Sequence, residues 1–181
     1  MTTISHLTTA ELEAGLDEIR QSPSDNGTLE MLIRRAQIGA REQLEEGEID
    51  LVEGLVGDNW KTRYGDRPAN PDAQITITNA RAIQHISQDK DRWALAGDQL
   101  YADFDLSEAN VPAGTQLSLG SAILEITAEP HNGCKKFVER FGMDAMTFVN
   151  SEVGKELHLR GINCKVIQAG TISVGDSITK I

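Results

Sequence analysis

The sequence predicts a mainly β protein, a small barrel or sandwich with a few peripheral helices, and three stretches carry the prediction. Leu117 and Leu119 alternate with polar residues up to Gly120-Ser121, and Ala122, Leu124, Ile126 and Ala128 alternate after it, the pattern of a β-hairpin with a two-residue turn. Ile162 to Gln168, Thr171 to Val174 and Ser177 to Ile181 are three more short β runs, divided by Ala169-Gly170 and Gly175-Asp176. Gln74 to Ala80 alternates Ile75 and Ile77 with threonines, as a half-buried strand does. No such run buries its apolar face alone, so the runs at 28–35, 74–79, 115–119, 122–128, 162–168 and 177–181 are expected to share one mostly antiparallel barrel.

From the N-terminus, Thr9 to Arg20 places Leu12, Leu16 and Ile19 on one face of an amphipathic helix, with acidic residues early and Arg20 late, as the helix dipole prefers. This helix and the turn Ser22-Pro23-Ser24-Asp25-Asn26-Gly27 form a packed extension over 1–26, ahead of a domain over 27–181. A strand over 28–35 follows, with Leu29, Met31 and Ile33 sharing a face. Arg41 to Glu46 reads as a short helix, and the acidic run Glu45 to Asp50 as a solvated loop. Gly54 to Trp60 holds a tight turn around Asp58. Thr62 to Ala73, rich in Arg, Gly, Pro, Asp and Asn, is a surface loop of the kind that can serve as a lid. Ala82 to Ser87 begins a short helix or turn, and Trp93 to Leu106 is a loop and strand. After the hairpin, Asp144 is placed to cap a helix over Ala145, Met146 and Val149, and helical turns continue over Ser151 to His158.

One segment concentrates chemistry. Between Pro130 and Gly142 the chain carries His131, Cys134, Lys135, Lys136 and Arg140 where a strand pattern gives way to a helical one. Phe137 and Phe141 are four apart, so a helix beginning at Cys134 turns its apolar face inward and leaves the cations wet. Cations and a helix start both favour the thiolate, the nucleophilic and metal-ligating form of cysteine, so Cys134 is expected to react faster than Cys164; the other reading of the same pattern is a small buried hydrophobe beside a solvated face of lysines. His131 is either a base for that thiol or an exposed loop histidine. Cys164, within a β run, reads as a core cysteine, and Trp60 and Trp93 as packing anchors.

Composition narrows the function classes. With 181 residues and a formal charge of −11, the chain suits one domain and lacks the basic footprint that nucleic-acid or anionic-membrane binding requires. Any anionic ligand must be held by a local cationic patch. The start lacks a signal-peptide pattern and no apolar stretch approaches a membrane span, so a cytoplasmic protein is expected. Two cysteines without a C-x-x-C pair encode no structural zinc or iron–sulfur site, and no Gly-rich nucleotide loop is present.

Read together, Gly54-Leu55-Val56-Gly57-Asp58, Asn79-Ala80-Arg81, Gly97-Asp98-Gln99-Leu100, Pro112 to Gly120, Cys134, Arg140-Phe141-Gly142, Gly161 and Gly170 to Asp176 resemble a MOSC domain in order and spacing. That domain stands at the C-terminus of molybdenum-cofactor sulfurases and in small stand-alone proteins. The resemblance implies a barrel of the pyruvate-kinase-barrel type and places the motif cysteine on Cys134, as a molybdenum ligand in reductases of N-oxygenated compounds or as a persulfide carrier in sulfur transfer. It also implies that Lys135, Lys136, Arg140, Arg81 and Arg160 meet the anionic groups of molybdopterin, with Asp58 and Asn59 at the Gly-Asp step. This chain has Asn59-Trp60 where family members often have arginine-histidine, and Gly133 where they often have proline. No lysine lies in a Schiff-base setting, so the pyridoxal phosphate that sulfurases carry in another domain is not expected. A redox role would need an external electron donor protein, and sulfur transfer an external sulfur donor. The reading from another class is a non-catalytic barrel that binds a small anionic ligand or a protein partner.

Overall fold

Residues 4–181 are described by the computed structural model. The first three residues of the expected extension over 1–26 lie outside the described residues. Seven strands close into a ring: β1 (Gly27–Arg34), β11 (Ser177–Lys180), β7 (Gln116–Leu119), β8 (Ala122–Ile126), β9 (Ile162–Gln168), β5 (Ile75–Asn79) and β6 (Leu100–Asp103), which returns to β1. All six runs expected to share a barrel are in it. Closure rests on two residue pairs, Gly27 with Ile178 and Thr28 with Ser177. Every neighbouring pair is antiparallel except β5 and β6, which run parallel. A parallel pair needs a crossover, and here it is α3 (Ala80–Ser87) followed by a 3-10 helix, Lys90–Ala96.

The barrel interior is aliphatic: Leu29, Ile75, Ile77, Leu100, Leu117, Leu124, Ile126, Val166 and Ile178 fill it, with Cys164 among them as a core cysteine. A second apolar layer joins the outer wall to the helices. In it Met31, Ile33 and Tyr101 of the wall meet Leu12, Ile83, Ile86, Trp93, Phe137, Phe141 and Phe148.

Several local expectations change. Leu29, Met31 and Ile33 do not share a face, because the β1–β6 register shifts between Leu29 and Met31 and sends the later two outward. Arg41 to Glu46 is not helical: β2 (Glu42–Leu44) pairs with β1 and runs into β3 (Glu46–Asp50). The Arg34–Glu42 ion pair at 2.8 Å and the packing of Leu44 on the core outweigh a local helix that would have had no apolar stripe. The acidic run is therefore strand, not loop; β3 lies between β10 (Gly170–Ser173) and β4 (Gly54–Leu55), with only Ile49 buried. Strand β5 is covered on both faces rather than half-buried, since outward Thr76 and Thr78 lie under Gln99 and Asp98.

The N-terminal helix is broken into α1 (Thr9–Glu13) and α2 (Leu16–Arg20). Gly15 stands between them against the His85 ring, where a Cβ would lie 2.3 Å from His85 Cδ2. After α4 (Lys135–Phe141) comes α5 (Met143–Asn150), whose N-cap is Gly142 rather than Asp144. Asp144 instead accepts a hydrogen bond from the Thr9 amide at 3.0 Å, tying α1 to α5. The helical turns after Ser151 form α6 (Glu152–Glu156). Thr62 to Ala73 is a largely exposed loop ending in a short 3-10 turn, Pro71–Ala73.

Candidate functional site

Strand β8 leaves the barrel and the loop after it ends at Cys134, the N-cap of α4, with extended backbone. Phe137 and Phe141 are buried with ring centroids 4.9 Å apart, so the apolar stripe anchors α4 and leaves Cys134, Lys135 and Lys136 exposed. Gly133 fits closely here. A Cβ on it would lie 2.5 Å from Met146 Sδ, and its amide donates to Asn150 Oδ1 at 3.2 Å, a bond that proline could not make.

Beside Cys134 opens a cleft of about 420 Å³. Of the residues expected at the site, His131, Cys134, Lys136, Arg140, Arg160 and Asn59 line it together. Three do not. Lys135 projects from the exposed side of α4. Asp58 lies behind the wall, accepting from the amide, Nε and Nη2 of Arg35, from the Trp60 amide and from Gln99 Nε2. Arg81 sits in a separate groove of about 570 Å³, paired with Asp103 at 2.8 Å and Glu18 at 3.2 Å.

The floor of the cleft is Asp98, 1% exposed. Arg160 Nη1 donates to its Oδ2 at 2.6 Å, Thr78 donates to the same oxygen at 2.7 Å, and His131 Nε2 stands 3.3 Å from Oδ1. Burial alone would raise the Asp98 carboxyl, but Arg160, His131 and Thr78 together bring it below its ordinary value. His131 is pushed down to about 4, by burial first and then by Arg160, against the pull of Asp98. At neutral pH it is an uncharged imidazole facing Asp98. No hydrogen bond joins it to Cys134 among the described residues, and so weak a base does not hold a thiolate at neutral pH. The expected base role for His131 thus has no geometry behind it.

Sequence reading missed Arg35, Arg41, Arg63 and Asp98, all of which line the cleft. Arg35 and Asp98 are buried, and lone charged residues between apolar runs give no local sign that they converge. Among the described residues the lining holds six cations, namely Arg35, Arg41, Arg63, Lys136, Arg140 and Arg160, and two carboxylates, Asp98 and Glu129. Asp58 neutralises Arg35 at 2.6 Å and Asp98 neutralises Arg160, whereas Arg41, Arg63, Lys136 and Arg140 make no ion pair among the described residues. A local electropositive mouth therefore opens in a chain of net charge −11. Asn59 Oδ1, Arg160 Nε and His131 Nδ1, all on the lining, are buried without a hydrogen-bond partner. Among the described residues no group of three or more His, Cys, Asp or Glu side chains gathers to hold a metal. No helix among the described residues is long and apolar enough to cross a membrane.

The family described as MOSC domain matches residues 64–179. No curated protein matches the sequence. Solved structures similar to this chain include the YuaD protein from Bacillus subtilis, 16% identical, covering 84% of this chain and 94% of that one, with a TM-score of 0.60. YiiM from Escherichia coli is 19% identical and covers 87% of this chain and 69% of its own, at a TM-score of 0.56. YiiM from Geobacillus stearothermophilus is 12% identical over 87% of this chain and 73% of its own, at 0.55. At these identities the likeness shows the fold alone.

Proposed function

From the premise that this chain belongs to the MOSC domain family, we propose that its cleft binds the molybdenum cofactor with the Cys134 thiolate as the protein ligand of the metal. The observation that carries this reading is the meeting of one exposed thiol with a surplus of guanidinium and ammonium groups in a single cleft. The donor set fits the cofactor. Molybdopterin brings its own two thiolates to the metal, so a single soft protein ligand suffices. Its phosphate calls for the cations, and its heterocycle for polar atoms such as Asn59 Oδ1 and Arg160 Nε, which are buried and unpartnered. A volume of about 420 Å³ lies within the usual range of ligand pockets.

In this reading Cys134 holds the metal, Lys136, Arg140 and Arg160 meet anionic groups, and Asn59 and neutral His131 orient the ring. Asp58 and Asp98 hold Arg35 and Arg160 in place from behind. When bound, the cofactor supplies two-electron redox chemistry, the kind that reduces N-oxygenated compounds. With two cysteines in the chain and none clustered, the electrons would come from a partner protein.

Molybdenum analysis of protein isolated from its native cell, beside thiol labelling, tests the proposal. Expected is stoichiometric molybdenum in the wild type, none in Cys134→Ser, and alkylation of Cys134 but not of buried Cys164 in metal-free protein. Sulfane sulfur on Cys134 without molybdenum would make the protein a persulfide carrier instead. A metal-free protein with an unmodified Cys134 would leave a barrel that binds anions without chemistry.

A further inference from the structure

The mouth of the cleft carries two features that a small molecule held inside does not use. One is apolar. Ile38, between β1 and β2, is 74% exposed, more than any other large apolar side chain among the described residues, and Tyr64, in the loop over 62–73, is 52% exposed; both lie on the cleft lining. Single exposed apolar side chains are common on protein surfaces, but two on the banks of one polar cleft make a contact point. The other feature is charge at positions the cofactor does not call on. The guanidinium groups of Arg63 and Arg67 both lie against the Tyr64 ring, 5.1 and 5.4 Å from its centre, and neither meets a carboxylate among the described residues.

Arg63, Tyr64 and Arg67 are exposed, yet the loop that carries them is rooted. The carbonyl of buried Asn59 accepts from the Thr62 and Arg63 amides at 3.0 and 2.8 Å. Two cations already stacked on one ring lose little side-chain freedom when a partner meets them. The exposed carboxylates of this loop and of the lining are Asp66, Asp72 and Glu129, and against them stand Arg41, Arg63, Arg67, Lys136 and Arg140, none in an ion pair among the described residues. Elsewhere the balance is reversed, since the whole chain carries −11. An acidic protein is therefore repelled by most of this surface and drawn to this one face.

We propose that this face, with Ile38 and Tyr64 at its centre and Arg63 and Arg67 beside them, is the docking surface for an acidic one-electron carrier protein. The partner's role rests on the redox reading above; the surface rests on exposure and charge. Reducing an N-hydroxylated compound breaks the N–O bond, takes two electrons from the carrier and two protons from solvent, and releases water, so a one-electron carrier docks twice in each turnover. It has to bring its redox group close to the cleft, because electron tunnelling weakens steeply with distance, and Cys134 stands exposed on this mouth. It also has to leave quickly, to make way for substrate. A few apolar contacts beside charge meet both demands: weak electron-transfer encounters bury less than about 1,200 Å², and charge governs how fast they form.

Magnetic-resonance titration of the isotope-labelled, full-length, metal-free protein with an acidic plant-type ferredoxin, and with basic cytochrome c at equal ionic strength, is the first arm. Expected is saturable ferredoxin binding at low salt that weakens at least about tenfold by physiological salt, with paramagnetic broadening centred on the amides around Ile38, Tyr64 and Arg67, and no such binding of cytochrome c. Arg63→Glu and Arg67→Glu should each weaken ferredoxin binding at least about fivefold, and Arg20→Glu, at an exposed position of α2, should bind as wild type. Melting temperatures show whether each variant is folded. No saturable ferredoxin binding, broadening centred elsewhere, cytochrome c binding as tightly, or undiminished binding in both folded variants overturns the proposal. The second arm follows oxidation of reduced ferredoxin by molybdenum-loaded protein from the native cell, supplied with an N-hydroxylated compound. In Arg67→Glu the KM for ferredoxin should rise at least about fivefold with kcat unchanged. Native protein without molybdenum sinks the redox reading and with it the partner's electron-carrying role, whereas failure of the first arm sinks the surface and leaves the redox reading standing.

Discussion

Asp98 is the buried floor of the cleft and half-buried His131 faces it, and the protonation of the two shapes how the protein answers acid. His131 titrates near 4 when folded and near 6.5 when unfolded, so between those values the unfolded chain binds a proton that the folded one refuses. Stability therefore falls as pH drops through that window, by up to about 3 kcal/mol. Asp98, lowered in the fold, adds a loss that begins as pH falls below about 4, the ordinary value of a free aspartate. Urea denaturation of wild type and His131→Gln between pH 7 and 4 should show a steeper decline in the wild type. Equal slopes would mean that His131 is not buried neutral. Which residues would gather in the cleft was legible where a local pattern supports them, as at Cys134 with Lys136 and Arg140 after it. Asp98 was read only as part of a Gly-Asp step, and its role appears when Thr78, His131 and Arg160 meet it from three other elements.

At the scale of elements, the segment before β1 is where sequence and packing agree least about its shape and most about its faces. Leu12 and Ile19 are buried and Leu16 packs at the edge of the same layer, as the helical spacing predicts, although Gly15 splits the helix. Each aliphatic side chain so buried contributes roughly 1.5–3 kcal/mol before ordering entropy is subtracted. A chain beginning near Asp25 should therefore melt several degrees below full length, since α1 and α2 cover Ile83, Ile86 and Phe148. An unchanged melting temperature would make the segment an appendage. Helix α4 was legible because Phe137 and Phe141 repeat at helical spacing. The strand at Glu42–Leu44 was not, because one apolar residue among charges has no period and takes its form from the edge of β1.

At the scale of the whole molecule, a body of net charge −11 carries a cleft rich in unpaired cations. Charges farther off than about 8 Å are largely screened at physiological salt, so the local cations decide what enters. Iodoacetate, an anion, should therefore gain on neutral iodoacetamide at Cys134 relative to the ratio for a free thiol in solution. The gain should shrink as salt rises. A ratio equal to that of the free thiol at low salt would show that the field at the thiol is not positive.

By itself the sequence determined the β runs of the barrel wall, the place of Cys134 at a helix start and the surface loop over 62–73, because each shows in a pattern a few residues long. A period of two in 117–128, a spacing of four from Phe137 to Phe141 and a density of turn residues need no distant partner to be read. Only the tertiary structure decided which cations face the thiol. Arg81, expected at the site, is drawn to Asp103 and Glu18 in another groove, while Arg35 and Arg41, which no motif marks, are brought in by the carbonyls of Gly97 and Ala94. A charged side chain goes where its hydrogen bonds and counter-charges are, and in this fold those lie about twenty to sixty residues away in sequence, in contacts that no local pattern encodes.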